Sequence, residues 1–167
     1  FFPPFSIGVA PRGMYFDDSK ESDLEDIFNT TVFDQSLTNR ASRLIDVIIQ
    51  CHVTKYGIKS TAFQPLTTPQ DAICIRVPGQ VADDLSVQLG SPQIRNNLDL
   101  LKAVRHHNRD AFIVFRPHPD VDAGHRTGQV PDAMVMKYAN QIARGGNMAN
   151  LIEQAHEIHT MNSLAGF

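Results

Sequence analysis

The stretch AFIVFR, residues 111–116, decides the fold class, because it is an apolar run that is too short to be a helix. It leads directly into PHPDVDAGHRTG, residues 117–128, in which a histidine stands between two prolines. A short apolar run that ends at turn residues is typical of a strand buried on both faces of a sheet. We therefore predict a buried strand over 111–116, followed by a stiff polar loop.

Helix and strand patterns alternate on both sides of this strand. The run AICIRV, residues 72–77, predicts an earlier buried strand. Residues 91–107 predict a helix between the two strands, and we expect its N-cap at Ser91 and Pro92 in its first turn. The later predicted elements are a strand over 140–144, a helix over 147–156 capped by Asn147, and a strand over 157–161.

This alternation predicts an α/β fold in residues 69–167: a Rossmann-like parallel sheet with helices on both faces. Ligands of such sheets bind beyond the carboxyl ends of the strands. Three polar segments that follow predicted strands are expected to meet there: PGQVADDLS (78–86), the loop 117–128 and NSLAGF (162–167).

Residues 1–68 are predicted to form a separate, mainly helical segment. SDLE, residues 22–25, is a capping box that opens a short helix. Apolar residues recur at helical spacing over 37–48, which predicts a second helix with one stripe facing a core. The turn TKYG, residues 54–57, is predicted to end that helix, and the Thr- and Pro-rich stretch 58–70 is predicted to be the boundary.

The composition excludes several classes of function. A formal net charge of -3 and a pI near 6.1 argue against a general nucleic-acid binder, since there is no basic surplus to neutralise a phosphate backbone. The two cysteines form no metal or redox motif, and no apolar run approaches the roughly 18 residues of a membrane span. We therefore expect a soluble cytoplasmic protein with reduced, packed thiols. The start at Phe1 and a helix cap at Ser163 close to the end are expected of a piece of a longer chain.

His118, the histidine between the two prolines, is a candidate catalytic residue. Its backbone is stiff, and Arg116 and Arg126 are its basic neighbours along the chain. It could donate to phosphate oxygens or pass a proton to a phosphate leaving group. The alternative is a surface histidine in a rigid loop.

Two further segments at the same predicted edge carry candidate groups. Asp83 and Asp84 could act as a base or a nucleophile, although paired aspartates in loops are commonly solvated turn formers. Ser163 and the backbone N–H groups around it suit a phosphate, in a geometry that any helix cap shares.

A metal site is a separate alternative. Asp120, Asp122 and His125 follow His118 within eight positions and are all capable of binding a metal ion. Their spacing matches neither HExxH nor HxHxDH, and no cysteine is close in sequence. A metal-dependent hydrolase therefore stays a less favoured hypothesis.

Five segments of the chain, taken in order, carry a family resemblance. They are GMYFDDSKESDLEDIF, TKYG, VPGQVADDLSVQLGS, VFRPHPDVDAGHRTG and EIHTMNSLAGF, which together extend from Gly13 to Phe167. The chain resembles the capsule polysaccharide biosynthesis and export proteins of the KpsC type. These are bacterial β-Kdo transferases, which build the oligo-Kdo linker on a lipid for capsule export.

The resemblance implies a retaining glycosyltransferase module that is half of a GT-B-like enzyme, with CMP-Kdo as donor and neither a metal ion nor another cofactor. It implies that His118 contacts the donor phosphate and that Asp84 forms a covalent adduct with the sugar, with Asp83 ranked second as nucleophile. The other residues expected to bind the donor are Gln80, Ser86, Arg116, Pro119, Arg126 and Ser163.

The resemblance also implies a lipid-linked saccharide acceptor at the inner face of the membrane, with peripheral contacts to that membrane and to capsule export proteins. A complete transferase needs an acceptor-binding half, and residues 1–68 could hold only its tail or the inter-domain helices. We therefore expect little or no turnover from this chain alone. The alternative from a different class is a non-catalytic binding domain of the capsule export machinery.

Overall fold

One parallel sheet forms the centre of the chain. The computed structural model describes residues 10–51, 67–69, 71–91, 93–146, 148–163 and 165. The strands are β1 (Cys74–Pro78), β2 (Phe112–Arg116), β3 (Gln141–Ile142) and β4 (Glu157–Ile158). They pair in the order β3-β2-β1-β4, and every pairing is parallel. The predicted α/β fold with a parallel sheet is therefore confirmed.

Helices connect the strands and precede the sheet. In the described residues they are α1 (Asp23–Thr30), α2 (Gln35–Gln50), α3 (Leu85–Gly90), α4 (Asn97–His107), α5 (Pro119–Asp122), α6 (Asp132–Val135) and α7 (Met148–Glu153). Helices α3 and α4 lie between β1 and β2 in sequence, whereas α7 lies between β3 and β4. The strand–helix alternation predicted for residues 69–167 is present.

Both faces of the sheet are covered by helices. On one face, Ile75 and Ile113 belong to a hydrophobic cluster with residues of α4 and α6. On the other face, Cys74 and Val114 pack with Leu151 of α7. Each fully buried aliphatic side chain contributes about 1.5–3 kcal/mol relative to exposure. The predicted coverage of both faces is confirmed, and it explains why β1 and β2 are largely apolar in sequence.

The strand order creates a crevice at one edge of the sheet. β1 and β2 pair in register from Cys74 opposite Phe112 to Pro78 opposite Arg116, so their carboxyl ends are level. The chain moves from β1 to β2 to β3 in one direction, whereas β4 lies on the other side of β1. The strand order therefore reverses between β1 and β4, and α/β sheets bind their ligands at such a topological switch point.

Helix α4 begins later than predicted, so the predicted N-cap is wrong. The N-cap is Asn96, whose side-chain oxygen accepts a hydrogen bond from the Asp99 N–H at 2.9 Å. Ser91 is instead the C-cap of α3, a helix that the sequence pattern did not predict, and its hydroxyl donates to the carbonyl oxygen of Ile94. Serine and asparagine cap helices about equally well, so the sequence contains two equivalent starting points. Pro92 lies outside the described residues.

The two N-terminal helices confirm one prediction and correct another. At the start of α1, Ser22 Oγ accepts from the Glu25 N–H, and Glu25 Oε2 accepts from the Ser22 N–H at 2.7 Å, which is the predicted capping box. α2 is present, but the prediction that its apolar stripe faces a core is wrong for the described residues. None of its residues is buried, and Leu44 and Ile45 are 59% and 56% exposed. Helical periodicity indicates an amphipathic helix without indicating what covers its apolar side.

The remaining sequence predictions have mixed outcomes. The turn at 54–57, the cap Asn147 and all of the boundary 58–70 except residues 67–69 lie outside the described residues. Both cysteines are free thiols, but only Cys74 is buried, whereas Cys51 is exposed. Within the described ranges, every helix is too short or too polar to cross a membrane.

Leu101 of α4 tests the packing of the helix against the sheet. Its side chain has no exposed surface, so Leu101→Ala is expected to lower the free energy of unfolding by about 2–5 kcal/mol through lost burial and a residual cavity. Urea unfolding measures the change. Leu85→Ala, at a side chain that is 58% exposed, is the control and is expected to change stability by about 0.5 kcal/mol or less. Equal losses in the two variants would contradict the packing of α4.

Candidate functional site

Polar loops follow β1, β2 and β4 and meet at the carboxyl edge of the sheet. They are named the β1 loop (residues 79–84), the histidine loop (residues 117–128) and the β4 loop (residues 159–163). The Ala82 N–H donates to the carbonyl oxygen of Thr127 at 3.0 Å, which joins the β1 loop to the histidine loop. Asp83 and Arg126 form an ion pair at 3.1 Å between the same two loops. These contacts confirm that the segments after β1 and β2 converge.

Gln80 joins the β1 loop to the β4 loop. Gln80 is only 7% exposed, and its Oε1 accepts three hydrogen bonds from the β4 loop. The donors are Thr160 Oγ1 at 2.8 Å, the Met161 N–H at 3.0 Å and the Asn162 N–H at 2.9 Å. The loops that flank the switch point are therefore held together by one side chain, and the predicted convergence of all three segments is confirmed.

Asn97, the first residue of α4, connects the β1 loop to the histidine loop through side-chain hydrogen bonds. Its Oδ1 accepts from the Gln80 N–H at 2.9 Å, and its Nδ2 donates to the carbonyl oxygens of Gln80 at 2.8 Å and Gly128 at 2.9 Å. The residue is 3% exposed. Sequence analysis missed Asn97, because an asparagine near a helix start is an ordinary feature and its partners are distant in sequence.

Two glycines allow the loops to approach one another closely. A Cβ atom on Gly79 would lie 2.9 Å from a ring carbon of Phe115, so no larger residue fits there without movement. Gly128 has φ +117°, and a Cβ atom on it would lie 3.0 Å from the backbone nitrogen of Ala82 and the carbonyl oxygen of Gln80. Only glycine adopts this backbone conformation readily. The close contact between the β1 loop and the histidine loop therefore depends on Gly128.

His118 is the N-cap of the short helix α5, and Pro119 is the first residue of that helix. Its Nδ1 accepts a hydrogen bond from the Asp120 N–H at 3.2 Å, and the Asp120 carboxylate lies 3.9 Å from the same nitrogen. The proton of the neutral imidazole is consequently on Nε2. The side chain is half-buried, so the turn presents a histidine of defined orientation and tautomer.

The residues considered as metal ligands do not come together as a metal site. Asp122 forms an ion pair with Arg144 at 2.9 Å, and Arg144 also pairs with Asp132 at 2.7 Å. In the part of the chain that the structure describes, no group of three His, Cys, Asp or Glu residues could hold a metal ion. The Asp122–Arg144 pair instead fixes the histidine loop to the segment that follows β3, and the Asp132–Arg144 pair fixes α6 to the same segment.

Asp83 and Asp84 have different surroundings. Asp83 is exposed, and its pKa is lowered first by a hydrogen bond from the Thr127 side chain and then by Arg126. Asp84 is the N-cap of α3, and its Oδ1 accepts from both the N–H and the Oγ of Ser86 at 3.2 Å. Among the described residues, the other carboxylate oxygen of Asp84 has no hydrogen-bond donor. Asp84 therefore has an oxygen available for chemistry, whereas Asp83 is engaged in an ion pair.

Arg116 lies at the end of β2 but is largely buried. It is 8% exposed, and one of its terminal nitrogens donates to the carbonyl oxygen of Gly146 at 2.8 Å, while Nη1 has no partner among the described residues. Arg76 of β1 is 1% exposed and donates to the carbonyl oxygen of Gln154 at 3.2 Å. Burial lowers the pKa of both guanidinium groups. Sequence analysis missed Arg76, although a charged residue inside an apolar strand was a signal that could have identified it.

The β4 loop differs in part from the phosphate site predicted around Ser163. The N–H groups of Met161 and Asn162 donate to Gln80, and the Ser163 N–H donates to Thr160 Oγ1 at 3.0 Å. These three N–H groups are therefore engaged within the protein, and phosphate binding around Ser163 stays a prediction. Ser163 Oγ accepts from the Ala165 N–H at 3.2 Å, as expected of a cap.

The fold and these loops define a Rossmann-like α/β unit with a candidate ligand site at its switch point. The sequence profile of the capsule polysaccharide biosynthesis protein family matches residues 1–167. The chain therefore belongs to that family.

Curated relatives of the chain are considerably longer than it is. The chain is 40% identical over 165 residues to the capsule polysaccharide modification protein LipA of Neisseria meningitidis serogroup B, a match that covers 99% of this chain and 23% of LipA. It is 29% identical over 166 residues to the lipopolysaccharide-processing protein LpsZ of Rhizobium meliloti, which covers 98% of this chain and 38% of LpsZ. The chain thus spans under a quarter of LipA and under two fifths of LpsZ.

Solved structures of KpsC from Thermosulfurimonas dismutans have the same fold. The β-Kdo 2,7 transferase matches with a TM-score of 0.73 and 36% identity, over 95% of this chain and 46% of that chain. The β-Kdo 2,4 transferase matches with a TM-score of 0.71 and 22% identity, over 94% of this chain and 49% of that chain, which supports the fold alone. The resemblance to KpsC-type proteins is confirmed.

The titration of Asp83 tests the contact between the β1 loop and the histidine loop. Thr127→Val and Arg126→Met are each expected to raise its pKa toward the ordinary value of about 3.9, and Thr127→Val is expected to raise it more. Because folding lowers this pKa, the contact stabilises the protein above the unfolded pKa, and the stabilisation is lost as the pH falls through the folded pKa. Carbon-detected NMR of the carboxyl group follows the titration.

Arg109→Met, in the exposed turn after α4, is the control for this titration and is expected to leave it unchanged. If the pKa of Asp83 is the same in the wild type and in both loop variants, the described contact is absent in solution.

Proposed function

We propose that this chain is the donor-binding half of a capsule glycosyltransferase that transfers Kdo from CMP-Kdo to a lipid-linked saccharide with retention. The observation that carries the proposal is the convergence of three polar loops at the switch point of the sheet. Nucleotide-containing ligands of α/β sheets bind at this position. The 36% identity with a β-Kdo 2,7 transferase over 95% of the chain supports the choice of sugar.

The proposed donor is an anion that carries a phosphate and a carboxylate. With a net charge of -3, the protein offers no general basic surface, so the donor must be held by a few placed groups. We assign charge compensation to Arg116 and Arg126. The remaining residues of the proposed donor site are Gln80, Ser86, Pro119 and Ser163.

His118 is proposed to assist the departure of CMP. Its Nδ1 accepts from the Asp120 N–H, so Nε2 carries the N–H group that can donate a hydrogen bond to a phosphate oxygen. Such a hydrogen bond stabilises the negative charge that develops on the departing phosphate. The two flanking prolines hold the imidazole in place for this step.

Asp84 is the proposed nucleophile of a double displacement. Its carboxylate oxygen bonds to the anomeric carbon while the bond from that carbon to the phosphate oxygen breaks, and CMP leaves with the electron pair. The acceptor hydroxyl then displaces Asp84 and loses its proton to a base, so the configuration at the anomeric carbon is retained. The ion pair of Asp83 with Arg126 supports ranking Asp84 first.

The proposed reaction uses no metal ion or other cofactor, since histidine and arginine supply the charge stabilisation. In this proposal residues 69–167 bind the donor, and residues 1–68 belong to the acceptor half or the inter-domain helices. This chain alone would then turn over little or no donor. The full protein would work in the cytoplasm at the inner face of the membrane, with the lipid-linked acceptor and the capsule export proteins as its partners.

A non-catalytic binding domain of the export machinery is the second candidate. The observation in its favour is that Asp84 and His118 are both helix N-caps, and each therefore has a structural use without any catalysis. The two candidates differ in an assay of transfer by the natural full-length protein, which a binding domain would not catalyse.

Asp84→Asn distinguishes the helix-capping role of Asp84 from its proposed role as nucleophile. Asparagine caps helices as well as aspartate does but has no nucleophilic carboxylate. Transfer from CMP-Kdo by the full-length protein is expected to fall by about 10⁴-fold, as is typical for loss of a nucleophile. Asp83→Asn is the matched control and is expected to cost less than about tenfold. Near-normal transfer by Asp84→Asn would exclude the nucleophile role.

His118→Asn likewise keeps a capping side chain but removes the imidazole. Calorimetry with CMP is expected to show about 10- to 100-fold weaker binding, the effect of losing one hydrogen bond to a charged group. His125→Asn, at an exposed histidine of the same loop, serves as the control and should bind CMP like the wild type. If His118→Asn also binds CMP like the wild type, the proposed contact between His118 and the phosphate is excluded.

A further inference from the structure

Gln80 occupies the position where the two sides of the switch point are connected. It is the second residue after β1, and its side-chain oxygen reaches across the crevice to the loop after β4. Only 7% of the residue is exposed. A side chain placed between the two loops in this way determines how far apart they lie.

The three hydrogen bonds to Oε1 define the orientation of the amide. A carbonyl oxygen has two lone pairs, so acceptance from Thr160, Met161 and Asn162 saturates it. The Thr160 hydroxyl, which donates to Gln80, accepts in turn from the Ser163 N–H at 3.0 Å. Hydrogen bonds in such a chain strengthen one another. The position of Ser163 therefore depends on Gln80 through Thr160.

The backbone of Gln80 is fixed independently of its side chain. Asn97 accepts from the Gln80 N–H and donates to the Gln80 carbonyl oxygen, and it also donates to Gly128 in the histidine loop. The β4 loop is thus attached to a residue that is itself anchored to α4 and to the histidine loop. Substituting the Gln80 side chain removes the attachment of the β4 loop and leaves the contacts of Asn97 in place.

We propose that Gln80 is a positioning residue of the donor site, which sets the β4 loop with Ser163 against the β1 loop with Asp84. This role rests on the proposed function. It differs in that Gln80 positions the β4 loop and does not itself contact the donor. The group that matters is the side-chain oxygen, because this atom makes the three contacts. A side chain that keeps the acceptor and loses the amide nitrogen should therefore preserve the site.

Two substitutions of similar size distinguish a role of the side-chain oxygen from direct contact of the amide nitrogen with the donor. Gln80→Glu keeps an oxygen that can accept all three hydrogen bonds, and donors of this kind favour an ionised carboxylate. Gln80→Met keeps the length and apolar volume of the side chain but has no oxygen. At about pH 8 a carboxyl group is normally ionised. Under this condition the Glu variant has the proposed acceptor oxygen and the Met variant lacks it.

Kinetics of the natural full-length protein give the first measurement. Gln80→Met is expected to lower kcat/KM for CMP-Kdo by about 10²-fold, and Gln80→Glu is expected to restore it to within about fivefold of the wild type. Leu101→Ala, which weakens the core between α4 and the sheet, controls for a general loss of stability and is expected to keep kcat/KM within about threefold.

Hydrogen exchange gives a second measurement that does not require activity. The Met161 and Asn162 amides are expected to exchange about tenfold faster in Gln80→Met and at the wild-type rate in Gln80→Glu. If the wild type transfers no Kdo, the proposed function fails, and the exchange rates alone decide the role of Gln80.

Two results would overturn the positioning role. One is a Gln80→Met variant with wild-type exchange rates at both amides. The other is a Gln80→Glu variant that has wild-type exchange rates but is as inactive as Gln80→Met, because the amide nitrogen would then be the group in contact with the donor.

Discussion

Parallel pairing of β1 with β2 is the contact on which the rest of the described structure depends. The pairs from Cys74–Phe112 to Pro78–Arg116 are all in register, and both strands are buried almost throughout. A slip of one residue would turn every side chain to the opposite face, so the register determines which residues pack on α4 and which on α7. It also makes the strand ends level, and the Gly79 N–H donates to the carbonyl oxygen of Arg116 at 2.7 Å. The β1 loop and the histidine loop consequently start side by side.

Two buried amides extend this strand geometry to the loops. Gln80 and Asn97 are polar side chains in a region with little solvent, and burying them without partners would cost about 1–3 kcal/mol for each group. Their hydrogen bonds to three loops offset that cost, because every contact they make replaces one with water. A satisfied buried network has few alternative arrangements and therefore rigidifies its surroundings. The edge of the sheet is thus preorganised before any ligand binds, which favours binding of a flexible ligand such as the proposed nucleotide sugar.

The strands β1 and β2 could be predicted from sequence because burial on both faces leaves a nearly continuous apolar run, and the convergence of the polar segments follows from parallel strands. The start of α4 could not be predicted, because Ser91 and Asn96 are equivalent caps and the choice between them depends on where α3 ends. The role of Asn97 could not be predicted either, since its partners Gln80 and Gly128 are 17 and 31 residues away and no local pattern relates them. The stripe of α2 shows the same limit: spacing reveals an apolar side and says nothing about its partner. Long-range polar contacts were therefore the main part of the site that sequence alone left open.

The distribution of charge shows how an acidic chain could hold an anionic donor. Arg126 and Arg144 at the edge of the sheet are each paired with aspartate, so part of their positive charge is already compensated within the protein. The described residues include every Asp and Glu of the chain, and none of them forms an ion pair with Arg76 or Arg116. Arginine stays protonated even when burial lowers its pKa, and a charge in the protein interior is screened less than one at the surface. The central strands therefore carry positive charge beneath the carboxyl edge of the sheet. Under the proposed function, part of the attraction for CMP-Kdo comes from these two guanidinium groups even without direct contact, and few basic residues are needed at the surface of the site.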